Sequence, residues 1–242
     1  EKKLQDLMLR VRYANVPVVA AIRGLALGGG CELAVHCAKR VAAMESYIGL
    51  VEVGVGLLPG AGGLTYIARR AAEVAALANP SGNANADILK FLTDGFTSAA
   101  MAKVGTSALE SRKLGYLLDS DLVVPHKDEL LYVATHQAKA LHAAGYRPPL
   151  KRLFPVAGRN GIATIKGQLA NLRDGGFASA HDFHISTLIA EVLCGGDVDA
   201  GSLVSEDYLM ALERERFCAL LEHPKTQERI MGMLQTGKPV RN

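Results

Sequence analysis

The sequence predicts an α/β fold with parallel strands, followed by a helical region. Three observations lead there. The run Val18-Val19-Ala20-Ala21-Ile22 is short and continuously apolar, as expected of a strand buried on both faces. Gly24 and Gly28-Gly29-Gly30 follow it, then a helix-prone stretch from Cys31 to about Ala38, then a second buried strand at 41–43. Strand, glycine turn, helix and strand in that order make a parallel α/β unit. Last, Gly145, Pro148 and Pro149 thicken the punctuation, which sets a boundary between a core at 1–147 and a helical C-terminal region at 148–242.

The remaining elements follow in order. Leu4, Leu7, Met8 and Val11 have the spacing of an amphipathic helix, closed off by Pro17. Residues 47–63 are glycine-rich, contain Pro59 and read as irregular. Helix formers return over 64–77, and 79–85 is a polar turn region. Three or more helices come next, with weak strand signals at 116–118 and 122–124. Beyond the boundary the chain is mostly helical, broken by Gly175-Gly176 and Gly195-Gly196, and Ser205-Glu206-Asp207 caps a helix over 208–221.

Composition narrows the function class. The 242 residues are 49% hydrophobic and 21% charged, an ordinary globular balance. A net charge of +3 without a basic stripe argues against nucleic acid as a partner. The pairs Lys39-Arg40 and Arg69-Arg70 read as solvated helix surface rather than a phosphate site. Cys31, Cys37, Cys194 and Cys218 form no C-x-x-C pair, which suits reduced thiols in a cytoplasmic protein, with Cys31 a small apolar packing group. No apolar run approaches the ~20 residues of a membrane span, so no membrane insertion is expected. The chain opens at Glu1 and reads as the middle of a longer protein.

Two segments carry chemistry. In Ala26-Leu27-Gly28-Gly29-Gly30-Cys31-Glu32, glycines after a strand admit a ligand close to the backbone. The helix that follows offers free N–H groups and its positive dipole end. Gly29 is the candidate donor to a developing oxyanion, and Glu32 falls in the same first turn. Glycines that serve only tight packing, with Glu32 merely favoured by the dipole, are the simpler reading of that segment alone. In the second segment, Glu52 is the sole charged residue between Glu45 and Arg69. An apolar pocket would raise its proton affinity into a range useful for proton transfer; an exposed loop glutamate is the alternative. Gly54-x-Gly56 has the wrong spacing for a dinucleotide loop. His181 and His184 lack a third ligand nearby in sequence and read as packing or surface groups.

Residues 24–34, then Glu52, then Pro59-Gly60-Ala61-Gly62-Gly63 together resemble the crotonase (enoyl-CoA hydratase/isomerase) family. The resemblance implies a crotonase-like ββα superhelix, N-terminally incomplete here. It implies that Glu32 and Glu52 are catalytic and hold the attacking water. Gly29 would give half of an oxyanion hole, and Gly28, Pro59 and Gly60 would lie against the substrate. Residues 50–57, 108–121 and the ending at 236–242 are similar to the C-terminal part of long bacterial 3-hydroxyacyl-CoA dehydrogenases. That branch implies fatty-acid β-oxidation, an acyl-CoA substrate and no cofactor in this segment, with NAD confined to the absent dehydrogenase portion. The implied partners are the N-terminal part of the same protein and, as an open option, further copies of the chain in a homo-oligomer. An enoyl-CoA isomerase on the same frame, or a non-catalytic structural fragment, are the competing readings. One departure is local: relatives place threonine directly after the glycine pair, whereas here Leu64 intervenes before Thr65, which leaves the helix cap there open.

Overall fold

The computed structural model describes residues 1–79 and 88–242, so all of the expected 79–85 turn beyond Asn79 lies outside the described residues. The chain runs α1 (Lys2–Arg12), β1 (Val19–Ile22), β2 (Leu25–Leu27), α2 (Gly29–His36), β3 (Lys39–Ala43) and β4 (Tyr47–Gly49), then a 3-10 helix (Glu52–Val55). After it come α3 (Gly63–Ala78), α4 (Ile88–Ala100), β5 (Val104–Gly105), α5 (Ala108–Lys113), β6 (Leu122–Val124) and α6 (Leu130–Ala143). The C-terminal part holds β7 (Phe154–Pro155), α7 (Gly158–Asp174), α8 (Ala180–Leu193), β8 (Leu203–Val204), α9 (Glu206–Leu221) and α10 (Pro224–Thr236). The mixed α/β order and the helical C-terminal region are as the sequence predicts.

Contacts divide the chain differently from the expected 1–147 and 148–242. One unit is Glu1–Leu50 with Lys103–Lys151, and the other is Val51–Ala102 with Arg152–Asn242. The later break falls close to the glycine-proline boundary. The earlier excursion, 51–102, belongs with the C-terminal helices because its partners are there, and no local signal marks that.

The first unit holds two small sheets. One has the order β1-β3-β6 and is wholly parallel, with Val19 opposite Lys39 and Val41 opposite Leu122. The other has the order β2-β4-β5, with Leu25 opposite Tyr47 in parallel and Ile48 opposite Gly105 in antiparallel sense. Helix α6 lies against β1 and β3, and Val41, Val124, Leu130 and Ala134 form a core cluster there. β1 is an edge strand with Ala21 exposed, so it is not buried on both faces. An apolar run cannot distinguish a central strand from an edge strand. On α1 Met8 is buried, while Leu4 and Leu7 of the same predicted stripe are exposed.

Three further expectations change. Residues 116–118 are not a strand: the N–H groups of Tyr116 and Leu117 both donate to the Ser111 carbonyl, closing the end of α5. The 47–63 stretch read as irregular contains β4 and the 3-10 helix. One member of each basic pair is buried and so is not solvated helix surface. Arg40 sits on β3, shielded from solvent, and its Nε lies 2.5 Å from Asp121 Oδ2. Asp121 also accepts the Arg40 and Leu118 backbone N–H groups, tying β3 to the turn that leads into β6. Arg69 on α3 is likewise buried, 3.0 Å from Glu206.

The second unit packs α3 against α4, α8 and α9, and α7 against α8. A two-residue antiparallel ribbon, β7 with β8, joins them. Two helices start as their sequences dictate. Ser179 and Asp182 form a reciprocal capping box on α8. The Ser205 hydroxyl accepts the Tyr208 N–H at the start of α9, which begins two residues before the helix expected over 208–221.

Candidate active site

The glycine-rich segment makes a sharp strand-to-helix turn in the first unit. β2 ends at Leu27, and Gly28 takes φ 54° and ψ −125°, a conformation closed to most side chains. Its N–H donates to the Gly49 carbonyl at 2.9 Å, fastening the turn to β4. Helix α2 starts at Gly29, whose N–H therefore has no acceptor within the helix. A Cβ placed on Gly29 or Gly30 would meet nothing within 4 Å, so the space beside the turn is open. Glu32 follows in the first turn and is only 3% exposed. Burying a carboxylate is costly, and the helix dipole offsets part of that cost here. Cys31 is fully buried among Ala34 and Val35, in keeping with a packing role. The thiols of Cys37 and Cys194 are pushed up by burial to about 11 and about 12.

In the second unit, Glu52 begins the 3-10 helix and is half-buried. The helix closes on Gly56 at φ 82°, and the Leu57 N–H donates to the Glu52 carbonyl at 3.1 Å. Leu57, Leu58, Pro59 and Gly60 are buried. Gly54-x-Gly56 is thus a helix and its cap, packed against Thr226, and not a phosphate loop. Of the residues singled out by sequence, Gly28, Gly29 and Glu32 lie in the first unit, and Glu52, Pro59 and Gly60 lie in the second.

The structure adds residues that sequence reasoning missed. Thr226 Oγ1 donates to the Gly56 carbonyl at 2.8 Å. Arg229, 1% exposed, pairs with Asp182 at 2.9 Å and reaches the Val53 carbonyl at 3.4 Å. Both come from α10 and brace the 3-10 helix of Glu52. Glu213 of α9 is wholly buried and accepts the N–H groups of Gly62 and Thr65 and the Thr65 hydroxyl. It thereby serves the start of α3, where Gly62 provides no side-chain cap. The intervening Leu64 leaves the cap to a distant carboxylate. Thr226 and Arg229 stand three apart on α10, a spacing that marks one helix face, but only the fold says what that face meets.

His181, His184 and His223 cluster, with the rings of His181 and His223 4.5 Å apart. Because Thr226 Oγ1 donates to Gly56, it accepts from His181 Nε2 at 3.0 Å, which leaves Nδ1 of His181 unprotonated and buried without a partner. Burial, then the Arg229 charge and the neighbouring imidazoles, push His181 down to about 4. Among the described residues no group of three or more histidines, cysteines and acids is arranged to hold a metal ion. A cavity of about 630 Å³ opens beside Val53 and Gly54, lined further by Phe96, Met101, Leu169 and Phe177. The first unit thus has a buried carboxylate in the first turn of a glycine-led helix, and the second has a half-buried carboxylate in a braced segment with a cavity beside it.

The family model for enoyl-CoA hydratase/isomerase matches residues 1–86, which include both glutamates. The chain is 39% identical over 241 residues to a Bacillus subtilis protein named Probable 3-hydroxyacyl-CoA dehydrogenase, covering all of this chain and 29% of that protein. It therefore spans less than a third of that relative's length. Over 68 residues it is 47% identical to mouse enoyl-CoA hydratase domain-containing protein 2, covering 28% of this chain and 23% of that protein. Its fold matches an enoyl-CoA hydratase from Mycobacterium avium subsp. paratuberculosis at a TM-score of 0.56 and 19% identity, over all of this chain and 71% of that one. It also matches a carnitinyl-CoA dehydratase from Mycobacterium avium at 0.52 and 22%, over 95% and 64%. Among the described residues no helix is long and apolar enough to cross a membrane. The glycine turn with its buried glutamate lies within residues 1–86, the part of the chain that the enoyl-CoA hydratase/isomerase family model matches, and the chain shares the fold of the solved hydratase.

Proposed function

We propose that this chain is the hydratase-type segment of a longer fatty-acid β-oxidation enzyme and adds water reversibly to a trans-2-enoyl-CoA. The observation that carries the reading is Glu32, a carboxylate hidden from solvent in the first turn of a helix whose leading glycines, Gly29 and Gly30, leave open space where a Cβ would stand. The family model's coverage of both Glu32 and Glu52 supports it. In the reaction, one glutamate takes a proton from water as the oxygen bonds to the β-carbon. The electron pair of the double bond moves toward the thioester, and its oxygen gains charge that the Gly29 N–H stabilises. The other glutamate then delivers a proton to the α-carbon. The net change is the addition of one water. We assign Gly28, Pro59 and Gly60 to the substrate's surroundings, and the acyl chain to the cavity beside Val53 and Gly54. NAD chemistry belongs to a dehydrogenase portion outside these residues, the site of action is the cytoplasm, and the partners are the rest of the same protein and further copies of it.

The experiment is to give the complete natural protein a trans-2-enoyl-CoA and, separately, a 3-enoyl-CoA, and follow each product by mass. Formation of the 3-hydroxyacyl thioester in isotopically labelled water, with one labelled oxygen incorporated, is the expected result. Migration of the 3-enoyl double bond without any hydration would assign isomerisation instead.

A further inference from the structure

Leu209, Met210 and Glu213 lie on the buried face of α9, so a carboxylate is directed into an apolar interior. It meets the N-terminus of α3. Glu213 Oε1 accepts the Gly62 N–H at 2.6 Å, and Oε2 accepts the Thr65 N–H at 3.0 Å and the Thr65 hydroxyl at 2.9 Å. Negative charge at that end is favoured by the helix dipole. These bonds fix the Pro59–Gly63 turn, which follows directly on the 3-10 helix of Glu52. Glu213 also feels Glu52. Burial raises its proton affinity most, the Gly62 and Thr65 donors lower it, and the Glu52 charge raises it again, for a net rise. Such an interaction is mutual, because the first acid to ionise makes the second hold its proton. Charged groups on the elements packed around α9 form ion pairs of their own: Arg69 with Glu206 and Glu73, Arg216 with Glu191, and Arg229 with Asp182.

We propose that Glu213 is a positioning residue for Glu52: through Gly62 and Thr65 it holds the turn behind Glu52. This rests on the hydratase reading. It extends that reading by assigning to α9 a group that acts on the reacting acid without touching substrate.

The test follows hydration by the complete natural protein, with the folded fraction measured alongside. Glu213→Gln keeps the side-chain shape but replaces one of the oxygens that the Gly62 and Thr65 donors reach, and should lower kcat about tenfold from misplacement of Glu52, with KM changed far less. Thr65→Val removes the hydroxyl donor to Glu213 and should lower kcat by a smaller factor in the same direction. A merely structural role would lower the folded fraction and leave kcat per folded molecule in place. An unchanged kcat per folded molecule in both variants overturns the proposal. Should Glu213→Gln not fold, Thr65→Val decides. A wild type that does not hydrate at all defeats the hydratase reading and not the positioning. The positioning is then read from the NMR shifts of the Gly62, Thr65 and Glu52 amides, which Thr65→Val and Glu213→Gln should move at all three residues, and an unmoved Glu52 amide overturns it.

Discussion

Glu32 is buried in the first turn of α2 because Gly28 turns the chain sharply and the helix dipole favours negative charge there. That arrangement was legible from sequence, since every residue in it lies within a few positions of the next. Glu213 was not, because its partners Gly62 and Thr65 lie 151 and 148 residues away. The run Glu213-Arg214-Glu215-Arg216 reads as surface charge until the fold turns one member inward. His181 gives a prediction at this scale. An unfolded histidine binds a proton below about 6.5, whereas folded His181 does so only near 4. Between those values the unfolded chain takes up more protons, so this contribution to stability is present above pH 6.5 and lost as pH falls toward 4. Urea midpoints for wild type and His181→Gln should diverge at pH 7 and converge near pH 4.5. A gap that stays constant with pH would contradict the assignment.

The 3-10 helix of Glu52 shows how little an element's own sequence reveals about its setting. Its glycines suggested an irregular loop, while its order comes from Thr226 and Arg229 on α10. Gly56 is where the two meet: φ is +82°, and an added Cβ would lie 3.0 Å from the Thr226 Cα. Gly56→Ala combines backbone strain with a close contact to main chain, and should destabilise by about 1–3 kcal/mol, read from the urea midpoint. A change within a few tenths would show that α10 does not brace the segment tightly. Gly54 is the contrasting case, because a Cβ there meets nothing within 4 Å and the residue borders the cavity. Gly54→Leu should leave stability near wild type while cutting kcat/KM for long acyl chains more than for short ones. Equal losses for all chain lengths would remove the acyl chain from that cavity.

Across the whole molecule, the chain leaves its first unit after Leu50 and re-enters it at Lys103. It leaves again after Lys151, and the glycine-proline cluster marks that crossing approximately, since linkers carry local punctuation. The crossing after Leu50 is not marked in that way, because the glycines around it belong to β4 and the 3-10 helix and not to a linker. What holds the returning segment is the buried pair of Arg40 on β3 with Asp121 just before β6. Asp121→Ala would leave the Arg40 charge buried without its carboxylate, and should destabilise by about 3–5 kcal/mol. A loss under 1 kcal/mol in denaturant unfolding would mean that Arg40 escapes to solvent. The parallel α/β order was readable from strand and glycine spacing, but the edge position of β1 was not, because apolar runs do not record which neighbours a strand has.

The proposed hydration gives acid-base roles to both Glu32 and Glu52. The most direct measurement is the hydration rate of a trans-2-enoyl-CoA by the complete natural protein carrying Glu32→Gln or Glu52→Gln, with folding checked by thermal melting. Each substitution should slow the reaction by a factor of roughly 10² or more without a matching loss of folded protein. A loss under tenfold for both would contradict the claim.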